Sequence, residues 1–141
     1  MGDAIVVGTD GSETAKRAVA EAARLAKALD ADLHVVSAYE PLRGARSAGG
    51  EPIGPLPDAI VDSTLAQAAA VVRLTEVPVQ THAVRKDPAD ALIDVAGQVG
   101  ATMIIVGNQG MHGAKRVLGS VPNSVSHKAR CNVLIVATDG A

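Results

Sequence analysis

Apolar positions fall in five short runs separated by stretches of helical period. Ala4–Gly8 (AIVVG) is apolar throughout, as a strand buried on both faces requires. Thr9, Asp10, Gly11 and Ser12 break the run. Asp10 and Ser12 are both N-cap types, and Asp10 with Glu13 has capping-box spacing. Ala15, Ala18, Val19, Ala22, Ala26 and Leu29 then recur on one face and predict a helix to about Leu29. Lys16, Arg17, Glu21, Arg24 and Lys27 fall elsewhere and are expected in solvent.

A second strand is predicted over Leu33–Ala38 (LHVVSA). Glu40–Pro57 follows, dense in Gly and Pro and without period, and reads as a mobile insertion. Helical spacing resumes over Asp58–Glu76 through Val61, Leu65, Ala69 and Val72. Pro78–Val84 (PVQTHAV) is a more polar strand, as expected at a sheet edge. Asp87-Pro88 opens a helix with an N-cap and a first-turn proline; Ala89, Leu92, Ile93 and Ala96 form its buried face and Gly100 stops it. Thr102–Val106 is the fourth strand, Val121–Arg130 a short helix capped by Ser120, and Asn132–Ala137 the fifth strand.

This alternation predicts an α/β fold, a single domain over residues 1–141 with an insertion at about 40–57. Its core is a doubly wound, five-stranded parallel sheet with helices on both faces, Rossmann-like. Ligands of such sheets bind beyond the strand carboxyl ends, where the strand order reverses. The first and fourth strands both end in glycine-containing loops. If those strands are neighbours, the loops face each other across one crevice.

Composition narrows the function classes. One Tyr, no Phe and no Trp leave a core of Val, Ile, Leu and Ala, and no aromatic platform for stacking single-stranded nucleic acid. The net charge of −2, without a basic cluster, argues against nucleic acid or an anionic membrane as partner. A single cysteine excludes an internal disulfide and agrees with a reducing compartment. No signal peptide or apolar span is read, so a cytoplasmic location is expected.

The chemistry concentrates in Gly107–Ser120 (GNQGMHGAKRVLGS), between the fourth strand and the last helix. Gly107, Gly110 and Gly119 admit close approach of an anion to the main chain, and Ser120 stands at a helix start that supplies N–H donors. On spacing alone an anion cradle and a plain connecting loop are equally served. The loop is neither a P-loop nor a Gly-x-Gly-x-x-Gly fingerprint.

Gly8–Ser12 (GTDGS), Asp87-Pro88 and the block GNQG…GSVPNSVSHKARCNVLIV from Gly107 to Val136 resemble the universal stress protein family, in its ATP-binding branch. The resemblance covers nearly the whole chain. It implies an adenine nucleotide alpha hydrolase-like fold and bound ATP with Mg²⁺, with ADP, AMP or cAMP as alternatives. By the same resemblance Gly8 and Thr9 line the adenine side, and Asp10 contacts ribose, adenine or a phosphate-bound metal. Ala38 offers backbone to the adenine edge, and Val106 and Gly107 bracket base and ribose. Asn108, Gly110, Gly119 and Ser120 surround the phosphates, and Val121 covers the base. A homodimer through the last strand is implied as well.

Two departures stand out. The gap from Gly110 to Gly119 is one residue shorter than the family's usual spacing, and Lys86 precedes Asp87-Pro88 where the family commonly has Gly. Either change bears on how many phosphates are preferred. Lys115, Arg116 and His112 are readable as phosphate contacts or as solvated loop side chains. Asp10 has its own alternative, a helix cap only. His34, His82, His112 and His127 show no metal-ligand spacing, and Cys131 reads as a small core side chain, not a nucleophile. No catalytic residue is assigned. The expected role is a nucleotide-binding sensor or regulator of a stress response. The alternatives are a weak ATPase or autophosphorylating enzyme in the same pocket, or a nucleotide-free interaction module.

Overall fold

The computed structural model describes residues 3–39, 57–108 and 120–138. Among them, strands and helices alternate: β1 (Ala4–Gly8), α1 (Glu13–Leu29), β2 (Asp32–Ala38), α2 (Pro57–Arg73), β3 (Val79–Val84), α3 (Pro88–Val99), β4 (Met103–Gly107), α4 (Ser120–Lys128) and β5 (Asn132–Val136). The strands form one parallel sheet in the order β3-β2-β1-β4-β5. The doubly wound α/β expectation therefore holds. The order reverses between β1 and β4, which are direct neighbours with Val6 opposite Ile104. The segment read as an insertion lies outside the described residues, apart from Pro57, which begins α2.

Burial on both faces explains the unbroken apolar runs. Ile5, Val7, Leu33, Val35 and Ile105 enter one core with α1 and α2. Val6, Val36, Ile104 and Val106 enter the other with α3 and α4. Because side chains alternate across a strand, each central strand must be apolar at every position to serve both cores. The helices approach closely because their inner faces are small: Ala18, Ala22, Ala23 and Ala26 on α1 and Ala89, Ala91 and Ala96 on α3 are buried. At the edges the pattern relaxes. β3 is largely exposed, as its polar sequence predicts, and Val133–Val136 of β5 are only partly buried.

One expectation for α1 is corrected, and one open alternative is decided. Leu29 is half exposed, because the chain turns at Asp30 (φ 56°) and seats Ala31 in the core instead. The cap is Ser12 and not the Asp10–Glu13 box: Ser12 Oγ accepts from the Ala15 N–H at 3.2 Å. Gly11, at φ +83°, bends the chain so that Asp10 Oδ1 accepts from the Ser12 N–H at 2.9 Å, one turn before the helix. Helix α2 carries Val61, Leu65, Ala69 and Val72 inward as expected, but ends at Arg73 and leaves Leu74 exposed. Asp87 caps α3 through the Ala89 N–H, and Gly100 closes it at φ 65°, as read from the sequence.

His34 and His82 meet across β2 and β3, with Nδ1 and Nε2 2.9 Å apart. Burial is the main cause that lowers both below the ordinary histidine range. Asp32 opposes it at His34, and His34 reinforces it at His82. The neighbouring faces of β1 and α3 contribute Val6, Leu92 and Val95 to this side of the sheet, while Asp90 and Asp94 of α3 pair with Lys128 and Lys86. The unfolded chain therefore takes up protons at the ordinary histidine value, while the folded chain resists until lower pH. The stability this contributes is complete above about 6.5 and is lost as pH falls toward the lowered folded values. Urea midpoints are expected to fall between about pH 7.5 and about pH 5.5, and a His34→Gln, His82→Gln double variant should flatten that slope. A wild-type slope unchanged in the double variant would assign the effect to other groups.

Candidate functional site

A cavity of about 510 Å³ opens at the carboxyl ends of β1 and β4. That is a size suited to a small organic ligand. Gly8, Thr9 and Asp10 form one wall, and Val106 and Gly107 the facing one. Val36 and Ala38 of β2, with Pro88 and Leu92 of α3, make a third, apolar side. Ser12, Thr14 and Ala15 at the amino end of α1, and Val121 and Pro122 at that of α4, complete the rim.

Local physics places each wall. The Thr9 N–H donates to the Val36 carbonyl at 2.9 Å, carrying the β1–β2 ladder past the strand end and burying Thr9. Its hydroxyl accepts from the Gly11 N–H at 3.1 Å, which shapes the turn. Asp10 is exposed and is the ionisable side chain among the described residues of the cavity wall. A Cβ on Gly8 would meet Leu92 Cδ2 at 3.2 Å, and one on Gly107 would meet Thr138 Cγ2 at 3.2 Å. Both glycines thus let the two strand ends pass beneath other elements. The amino end of α4 borders the cavity, where a helix carries partial positive charge.

Seven of the eleven residues singled out from the sequence line this cavity: Gly8, Thr9, Asp10, Ala38, Val106, Gly107 and Val121. Gly110 and Gly119 lie outside the described residues, as do His112, Lys115 and Arg116. Ser120 begins α4 and is exposed beside the cavity. Asn108 is engaged elsewhere. Its Oδ1 accepts from the Thr138 N–H at 3.0 Å and from the Thr138 hydroxyl at 2.9 Å. Its own N–H donates to the Val136 carbonyl at 2.9 Å. Lys86 is likewise drawn away, paired with the Asp94 carboxylate, which raises its pKa.

Sequence reading missed Val36, Pro88 and Leu92 as cavity residues, along with Ser12, Thr14, Ala15 and Pro122 at the helix ends. The first three were legible only as core or helix-start residues. What brings them to the cavity is the neighbourhood of β1, β2 and α3, and periodicity carries no information about that. Cys131 is partly buried against the α3–α4 core, and burial pushes its thiol up, the direction of an unreactive sulfur. Among the described residues no group of three or more His, Cys, Asp or Glu is placed to hold a metal ion. Among the described residues no helix is long and apolar enough to cross a membrane.

Comparison with known proteins agrees with this architecture. A universal stress protein of Mycobacterium tuberculosis is 38% identical over 145 aligned positions, covering 95% of both chains. A crystal structure of a universal stress protein in complex with cAMP superposes with a TM-score of 0.77 at 33% identity, covering 98% of each chain. One from Archaeoglobus fulgidus, in complex with dAMP, gives 0.72 at 25% identity over 94% of this chain and 96% of that one. The model of the universal stress protein family matches residues 1–137, and the chain belongs to that family.

Proposed function

We propose that the chain binds an adenine nucleotide in the cavity between β1 and β4, ATP with Mg²⁺ first among them, and acts as a sensor or regulator in a stress response. The observation that carries this reading is the shape of the site. Two glycine-containing strand ends and the amino end of a helix border one cavity whose inner side is apolar. A purine fits the apolar side formed by Val36, Ala38, Leu92 and Val106. Phosphates fit the rim at α4, where main-chain donors and the helix end favour negative charge. Asp10 is the carboxylate at the rim that would meet ribose or a phosphate-bound Mg²⁺. Turnover is expected to be slow or absent, since phosphoryl transfer to water needs a positioned base. The partly buried apolar edge at β5 supports pairing with a second copy.

A second reading has its own support. Two of the similar structures are complexes with cAMP and with dAMP, each a nucleotide with one phosphate. A monophosphate is therefore the alternative ligand for the same cavity.

Calorimetry and thermal shift with ATP, AMP and cAMP, each with and without Mg²⁺ and against GTP, test both. Adenine nucleotides are expected to stabilise the protein by about 2.7 kcal/mol at a hundredfold excess over Kd, and GTP much less. Tightest binding of ATP with Mg²⁺ favours the first reading, and tightest binding of cAMP or AMP the second. No shift with any of them removes both. Asp10→Ala is expected to weaken the preferred nucleotide about tenfold. The melting temperature should hardly move, because Asp10 is exposed and its bond is local to the turn.

A further inference from the structure

Thr138 follows the last strand and lines none of the cavity, yet it is 1% exposed and bonded on every polar atom. Its N–H and its hydroxyl both donate to Asn108 Oδ1. Its carbonyl accepts from Arg17 Nη1 at 2.8 Å. Its methyl group lies 3.2 Å from where a Cβ on Gly107 would fall. Three chain segments converge there: the outer face of α1 through Arg17, the end of β5, and the end of β4 where Gly107 forms a cavity wall.

We propose that Thr138, held from behind by Arg17, is a positioning residue for the nucleotide cavity. It fixes the main chain at Gly107 and Asn108, and so the wall against which the ligand is held. This rests on the nucleotide reading for its effect on affinity, but the positioning itself is measurable without ligand. A hydroxyl and an N–H sharing one part-buried amide oxygen leave Asn108 a single orientation. Removing the hydroxyl leaves one bond and lets the carboxamide swing. Anything that displaces Thr138 also releases the space beside Gly107.

The test compares Thr138→Val, Thr138→Ser and Arg17→Met with a control, Thr75→Val. Thr75 Oγ1 donates to the Val72 carbonyl at 2.6 Å beyond the end of α2, away from the cavity. Calorimetry with ATP and with cAMP is expected to show about tenfold weaker binding for Thr138→Val, from one lost part-buried hydrogen bond. Thr138→Ser keeps the hydroxyl and should bind close to wild type. Arg17→Met should fall between them. Thr75→Val should lose melting temperature without losing affinity.

Amide hydrogen exchange on the ligand-free protein is the second measurement. Protection at Gly107 and Asn108 is expected to drop about tenfold in Thr138→Val and to be kept in Thr138→Ser and Thr75→Val. Unchanged protection in Thr138→Val overturns the proposal whether or not nucleotide binds. So does a Thr138→Val protein that is less stable but binds as wild type does. Wild-type protein that binds no adenine nucleotide overturns the functional reading instead, and the exchange result then decides the positioning alone.

Discussion

Ile105→Ala is expected to lower the free energy of unfolding by about 3–4 kcal/mol, and the melting temperature by roughly 10 °C. Ile105 is fully buried at the centre of β4, opposite Val7 of β1 and Leu134 of β5, and it enters the core shared with α1. Neighbours on both sides are strands, and the helix above is fixed by small residues packed against the sheet. Little can collapse into the space an alanine leaves, so the cavity cost adds to the lost burial. The chain has no Phe or Trp to supply extra buried area elsewhere, so the loss is felt in full. Ile105→Val should cost only about 1 kcal/mol. Leu74→Ala, at a residue 84% exposed, should stay within about 0.5 kcal/mol. Urea denaturation of the three variants checks the ranking. An Ile105→Ala protein within about 1 kcal/mol of wild type would mean that α1 settles onto the sheet, and that the core is looser than its geometry.

Features set by neighbouring residues in the chain were legible before any coordinates. The strands over Ala4–Gly8 and Val79–Val84, the Asp87-Pro88 helix start and the Gly100 stop follow from apolar runs, polar edges and capping chemistry, all of which act over a few residues. Ambiguity or error arose where two local rules competed. Asp10 and Ser12 were both suitable caps, and only the positive φ of Gly11 decides that Ser12 takes the role. Leu29 fitted the helical period, but the helix ended beneath it.

The candidate site was half legible for the same reason. The loops after β1 and β4 could be named because a glycine-containing break after an apolar strand is a local signal, and the family resemblance then singled out Gly8–Asp10 and Gly107. The adjacency of β1 and β4 could only be stated as a condition, and it holds. Contacts between distant residues were invisible. Asn108 bonds Thr138 thirty positions on, His34 meets His82 forty-eight on, and Arg17 reaches Thr138 across 121. One signal was available. In a parallel sheet Gly107 pairs with Val136, so a polar residue just past the apolar end of β5 must lie level with the end of β4. Thr138 is that residue.

Gly107→Val is expected to weaken adenine-nucleotide binding about a hundredfold or more while the protein still folds. The Cβ alone would lie 3.2 Å from Thr138 Cγ2 and 3.9 Å from the Thr14 carbonyl oxygen. Thr138 cannot yield cheaply, since it is buried and held by Asn108 and Arg17. The two added methyl groups must therefore displace Thr138 or turn into the cavity. The first route costs about 1–3 kcal/mol in overpacking and frees Asn108; the second occupies the ligand's space. Gly107 has no positive φ, so backbone strain is not the cause, and a smaller side chain should do less harm. Gly107→Ala is expected to lose about tenfold in affinity. Adding Thr138→Ser to it removes the methyl group that the new Cβ meets and keeps the hydroxyl, so the double variant should recover most of that loss. Calorimetry on the four proteins of this cycle gives the coupling directly. Additive losses would show that Gly107 and Thr138 act separately. A Gly107→Val protein with unchanged affinity would place the nucleotide outside the cavity between β1 and β4.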